Sequence, residues 1–167
     1  FPVSSESTST DNWTVMKQGS WSGSVKKWHV VNDGGIDYVK VQTKNATPAD
    51  VTEWLWAIYP LFDNGAFTFK IKNYATATYV TANTAVTGDF KGSNKPISLS
   101  ATPTLFTVES RATGKMFAYM AGAELNSKHY LTINSTGDTD VFLGSYTGTH
   151  SGNDINTIAP SVSVAIG

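Results

Sequence analysis

Residues 54–60 read Trp-Leu-Trp-Ala-Ile-Tyr-Pro, WLWAIYP. Two aromatics flank a Leu, apolar residues recur at every second step, and Pro closes the run. Alternation with a period of two is the signature of a half-buried strand. Moved forward by fifty residues, the stretch falls on Thr104-Leu105-Phe106-Thr107-Val108-Glu109-Ser110. Another fifty residues bring it onto Asp154-Ile155-Asn156-Thr157-Ile158-Ala159-Pro160. Leu55, Leu105 and Ile155 occupy the second position, and Ile58, Val108 and Ile158 the fifth. The segment is one of three.

A second marker repeats independently. Trp28-His29-Val30-Val31-Asn32 matches Tyr79-Val80-Thr81-Ala82-Asn83 and then Tyr130-Leu131-Thr132-Ile133-Asn134, 51 residues apart each time. Each copy opens on an aromatic and ends on Asn, a residue that suits a turn because it tolerates positive φ. Two markers with one period divide the chain into units at about 12–60, 61–110 and 111–160.

Each unit holds four short alternating segments bounded by Gly, Asn, Asp, Ser and Thr. The first unit offers Trp13–Gln18, Lys27–Asn32, Tyr38–Thr43 and Trp54–Tyr59. The second offers Phe67–Lys72, Thr78–Ala82, Pro96–Ala101 and Leu105–Glu109. The third offers Lys115–Met120, His129–Ile133, Asp140–Ser145 and Ile155–Ile158. The one helical option is a single turn around Ala49–Thr52. Three propeller blades are too few to close, whereas three four-strand units predict an all-β chain folded as a β-trefoil, closed so that no long edge is exposed. The first eleven residues lack periodicity and are expected to form an N-terminal arm ahead of a single domain, 12–167.

Composition narrows the function. Twelve Lys and Arg face thirteen Asp and Glu, so the net charge is −1. No basic excess points to nucleic acid as a partner. Cys is absent, which excludes disulfides, thiolate metal sites and a Cys nucleophile. No run reaches the roughly 18 apolar residues of a membrane-spanning helix. Sequons at Asn12-Trp13-Thr14, Asn45-Ala46-Thr47 and Asn134-Ser135-Thr136, together with a first residue other than Met, predict a processed protein, secreted or vacuolar, with three candidate glycosylation sites.

The layout resembles the ricin-B-like (R-type) trefoil lectins, and among them the fungal ones. Members carry Gln-x-Trp near the end of each unit. Here those positions hold Trp54-Leu55-Trp56, Thr104-Leu105-Phe106 and Asp154-Ile155-Asn156: the Trp survives once, the Gln nowhere. Ala77-Thr78-Tyr79-Val80-Thr81 and Lys128-His129-Tyr130-Leu131-Thr132 look like the family's second strands. The resemblance implies glycan binding without catalysis, needing no cofactor or metal. A family sugar pocket combines an Asp on the second strand, a ring near the third, and an Asn before Gln-x-Trp. A ring stacks on the C–H face of a sugar while carboxylate and amide bond its hydroxyls. The Asp position falls on Val30, Thr81 and Thr132, and the Asn position on Glu53, Pro103 and Asn153. The resemblance therefore implies a ligand site in the third unit: Thr132, Tyr146, His150, Asn153 and Asp154. Trp21, in the Gly- and Ser-flanked stretch GSWSGS at 19–24, is a second candidate platform, expected to be exposed.

Catalytic signatures are missing. His29, His129 and His150 have no i,i+2 or i,i+4 spacing for a local metal site. Neither a G-x-S-x-G elbow nor a phosphate loop occurs. Two competing functions remain. Trefoils also host protease inhibitors that insert an extended loop, for which 43–53 and 84–95 are the long loops here. A cytotoxic or defence protein acting on cell surfaces is the other.

Overall fold

Val, Ile, Thr and aromatic residues recur through segments of three to eight residues, and such residues pack well on a pleated surface. The computed structural model describes residues 13–21, 26–43, 52–63, 66–82, 97–112, 114–119, 129–133, 135, 137, 139–144 and 149–158. The arm expected at 1–11, the long loop at 84–95 and Tyr146 lie outside them. The described residues form twelve strands: β1 (Val15–Gln18), β2 (Lys26–Asp33), β3 (Ile36–Thr43), β4 (Trp56–Asp63), β5 (Ala66–Asn73) and β6 (Tyr79–Thr81), followed by β7 (Ser98–Ser100), β8 (Thr107–Arg111), β9 (Gly114–Tyr119), β10 (His129–Thr132), β11 (Phe142–Gly144) and β12 (Asp154–Ile158).

Every expected segment holds a strand, and the fourth strands of the first two units both begin two residues later than expected, β4 at Trp56 and β8 at Thr107. Thr52–Trp54 form a 3-10 turn, and β4 starts at Trp56 and runs through Pro60 to Asp63. Pro60 does not end the strand. It stands opposite Phe69, whose N–H is directed to the Phe106 carbonyl at 2.7 Å, so the pairing asks nothing of the missing Pro donor. The first unit thus reaches past residue 60.

Six strands close a ring. β4 pairs with β5, β8 with β9, and β12 with β1. Within units, Thr14 bridges Trp56, Phe69 bridges Phe106, and β9 pairs with β12. The other six form hairpins β2–β3, β6–β7 and β10–β11. The hairpins meet where Val39 N–H donates to the Ile97 carbonyl (2.7 Å) and Ile97 N–H to the Val141 carbonyl (3.1 Å). This is a β-trefoil.

The core follows the threefold axis. Cross-strand partners Trp28↔Val41, Val80↔Leu99 and Leu131↔Leu143 place equivalent residues of the three hairpins. Two further triplets come from one pleat on, Val30/Ala82/Ile133 and Val39/Ile97/Val141. The barrel adds Met16/Ile71/Phe117 and Trp56/Phe106/Ile155. These triplets account for the whole main core cluster apart from Phe142, and Val30 alone among them is only partly buried.

The register differs by one residue from the sequence repeat. Tyr79 and Tyr130 match Trp28 as aromatics, yet Val80 and Leu131 share its place. A slip of one residue sends a side chain to the opposite face of the sheet. Tyr130 packs with Met116 and Ala118 in a separate cluster, and Tyr79 lies half-buried on the outer face. Likewise Ile155, not Asn156, stands level with Trp56 and Phe106.

A polar thread runs through this apolar centre. The Trp56 indole donates to the Trp28 carbonyl (3.2 Å), and the Trp28 indole donates to Gln18 Oε1 (2.9 Å). Gln18 Nε2 donates to the carbonyls of Leu131 (3.1 Å) and Gly152. The two indoles meet edge to face with centroids 5.4 Å apart. Asn73 repeats the device one unit on: its Nδ2 donates to the carbonyls of Glu53 (3.1 Å) and Leu55 (3.3 Å). Both amides end a first strand, and both hold the turn that leads into a fourth.

Two outcomes are expected. Gln18→Met keeps the volume but removes three buried hydrogen bonds and leaves the Trp28 indole N–H without its acceptor, a group that costs about 1–3 kcal/mol when left unbonded. A loss of about 3 kcal/mol in urea unfolding is expected. Tyr130 donates to Glu109 Oε2 at 3.0 Å, and burial, then the bond to Glu109 and its charge, push the phenol up to about 12. A raised folded value favours the protonated form. Its contribution to stability is whole below the ordinary phenol range and is lost as pH rises through about 12. Tyr130→Phe should remove a phenolate that titrates near 12 from the ultraviolet pH titration.

Candidate functional site

The third unit closes on a 3-10 turn, Ser151–Asn153, in which Asn153 N–H donates to the His150 carbonyl at 3.0 Å. Gly152 makes the turn possible. A Cβ there would lie 1.9 Å from the Ile133 carbonyl oxygen, so only glycine lets the turn sit against β10. From the other side Gly19 N–H donates to the Asp154 carbonyl (2.7 Å) and Ser20 N–H to Ser151 (3.1 Å). Gly19 has φ +88°, which turns the chain so that the Trp21 ring folds back over it.

The residues named from sequence gather here, in different environments. Thr132, Asn153 and Asp154 are buried to 1% exposure or less. His150 is half-buried; its Nε2 lies 3.2 Å from the Ile133 carbonyl and its ring meets Trp21 edge-on at 6.2 Å. Trp21 is half-buried against the core rather than freely exposed. Tyr146 belongs to the stretch outside the described residues.

Arg111, at the end of β8, carries the electrostatics of this corner. Its Nη1 lies 3.1 Å from Asp154 Oδ1 and 3.4 Å from the His150 carbonyl. A carboxylate with no solvent exposure needs such a partner. Sequence reading missed Arg111, because a cation in the turn-like run ESRATGK looks solvated. Nothing local marks a partner 43 residues further along the chain.

The same positions differ in the other units. By strand pairing His29, Thr81 and Thr132 are equivalent, as are Trp54, Thr104 and Asn153. In the first unit the His29 and Trp54 rings stack at 4.5 Å with planes 12° apart, so the two positions fill each other. In the second, Thr104 Oγ1 accepts from Ala82 N–H at 2.8 Å, while Thr81 Oγ1 lies 2.7 Å from Ser100 Oγ. Among the described residues no three His, Asp or Glu gather as a metal site, and no helix is long and apolar enough to cross a membrane.

No protein-family model and no curated relative matches the sequence. Solved structures do match its shape. The Rhizoctonia solani agglutinin superposes with a TM-score of 0.64 at 12% identity, over 95% of this chain and 99% of that one. The β-trefoil lectin of the Vibrio vulnificus hemolysin/cytolysin, solved with N-acetyl-D-lactosamine, gives 0.56 at 12% identity, over 93% and 99%. The Polyporus squamosus lectin gives 0.58 at 12% identity over 88% of this chain; the match spans 48% of that lectin. At such identity the likeness establishes the trefoil fold.

Breaking the buried ion pair tests the corner's construction. Arg111→Met strands the Asp154 carboxylate and is expected to lower stability by about 3 kcal/mol. The double variant Arg111→Met/Asp154→Leu should recover most of that loss in thermal or urea unfolding.

Proposed function

We propose that the chain is a secreted, non-catalytic carbohydrate-binding protein of the fungal ricin-B-like type, recognising glycans at the corner of its third unit. The observation that supports it most is the asymmetry of the three corners. The first is filled by its own His29–Trp54 stack. The third instead brings a half-buried indole and imidazole together over a buried frame.

Roles divide by depth in this reading. Thr132, Asn153 and Asp154, with Arg111, hold the Ser151–Asn153 turn in shape. His150 and Tyr146 meet the ligand, with Trp21 offering an apolar edge for the C–H face of a sugar. A rigid turn carrying a few polar groups beside an aromatic is what a neutral saccharide requires. The sugars named with the neighbouring lectins make N-acetyllactosamine the first probe.

A glycan array followed by calorimetric titration tests the proposal. N-acetyllactosamine or a related neutral glycan should bind, and His150→Ala should weaken it at least about tenfold, ~1.4 kcal/mol, without changing the melting temperature much. No glycan bound, together with inhibition across a protease panel, would move the assignment to the inhibitor class.

A further inference from the structure

A second cluster of chemistry lies in the second unit, on the outer face of β4, β5 and β6. Residues two apart on a strand share a face, so Lys70 and Lys72 project from β5 together. Tyr59 stands opposite Lys70 across β4–β5, and Tyr79 opposite Lys72 across β5–β6. The Lys70 ammonium lies 4.8 Å from the centre of the Tyr79 ring and 5.9 Å from that of Tyr59. The Lys72 ammonium lies 5.8 Å from the same Tyr79 ring. Two cations therefore converge on one aromatic, itself half-buried.

Next to Tyr79 the face becomes hydroxylic. Ser100 pairs with Tyr79, and its Oγ lies 2.7 Å from Thr81 Oγ1. The strip thus runs from Tyr59 through two ammonium groups and a phenol to two hydroxyls, across four neighbouring strands. Rigid sheet, not loop, sets every one of these positions.

We infer that this face is a binding site for an acidic saccharide, one bearing a sulfate or a carboxylate. The ring quadrupole holds the ammonium groups side by side, where one oxyanion can accept from both. The adjoining hydroxyls of Thr81 and Ser100 then reach the hydroxyl groups of the attached sugar. A chain of net charge −1 overall favours a ligand with one anion at a defined place over an extended polyanion. The ligand class draws on the glycan reading above, but the site shares no residue with the third-unit corner.

Backbone-amide NMR titration of the intact protein separates the cases, with five probes: a sulfated galactose disaccharide, its unsulfated form, a uronate disaccharide, inorganic sulfate and a single-stranded oligonucleotide. The sulfated or uronate sugar should shift the amides of Lys70, Lys72 and Tyr79, and which of the two binds identifies the anion. The unsulfated sugar should leave those amides unmoved. Lys70→Gln/Lys72→Gln should weaken the acidic sugar at least tenfold with the spectrum otherwise folded. His150→Ala should leave it unchanged, so failure of the third-unit proposal is read separately. Equal shifts from sulfated and unsulfated sugar would overturn the inference, as would unchanged binding by the double variant. Inorganic sulfate, or a single-stranded oligonucleotide, binding as tightly as the acidic sugar would also overturn it. So would a double variant that only loses stability while no acidic sugar moves these amides in the parent protein.

Discussion

A buried indole N–H costs stability unless it has an acceptor, and Trp28 finds one in Gln18. That bond fixes more than one side chain. The same amide spends its donors on Leu131 and Gly152, so the first unit grips the third through a single carboxamide. Trp56 then binds Trp28 from the other side. The apolar triplets supply the driving force for collapse, but they are non-directional. Directionality at the junction comes from this thread, and Asn73 supplies the equivalent at the next junction. Without it the third-unit turn keeps the β1–β12 ladder and the Gly19 and Ser20 bonds but loses its tie to Trp28 and the core.

The strands and their threefold order were readable because periodic alternation is local and the repeat is long. What the residues could not reveal alone was the register. Aromatic matched aromatic along the sequence, Trp28 with Tyr79 and Tyr130, and the pleat placed Val80 and Leu131 there instead. Volume explains the swap. One Trp on the axis, opposed by Val80 and Leu131, fills the space that three aromatics would overcrowd. Tyr130 then turns its ring outward to Glu109, where its hydroxyl has a partner.

The corner of the third unit was legible as a neighbourhood, not as a set of contacts. Thr132, His150, Asn153 and Asp154 do come together around one turn. Their depth was invisible, since Thr, Asn and Asp are ordinary surface residues in a turn-rich chain. Asp154 is tolerated at the start of β12 because Arg111 arrives from another strand. Lys70 and Lys72 were equally hidden. In FTFKIKN they read as the polar half of an alternating strand, and only pairing with β4 and β6 shows which rings they meet.

The ring of the barrel is sealed by β1 against β12. Val15 lies opposite Ile158, and Thr14 Oγ1 donates to the Ile158 carbonyl at 3.0 Å. The chain thus enters and leaves the fold side by side, at one pole. The same adjacency makes the order of the three units a matter of where the covalent chain is cut. Joining residues near 14 and 158 and opening the β2–β3 hairpin at Gly34-Gly35 would leave each strand its neighbours.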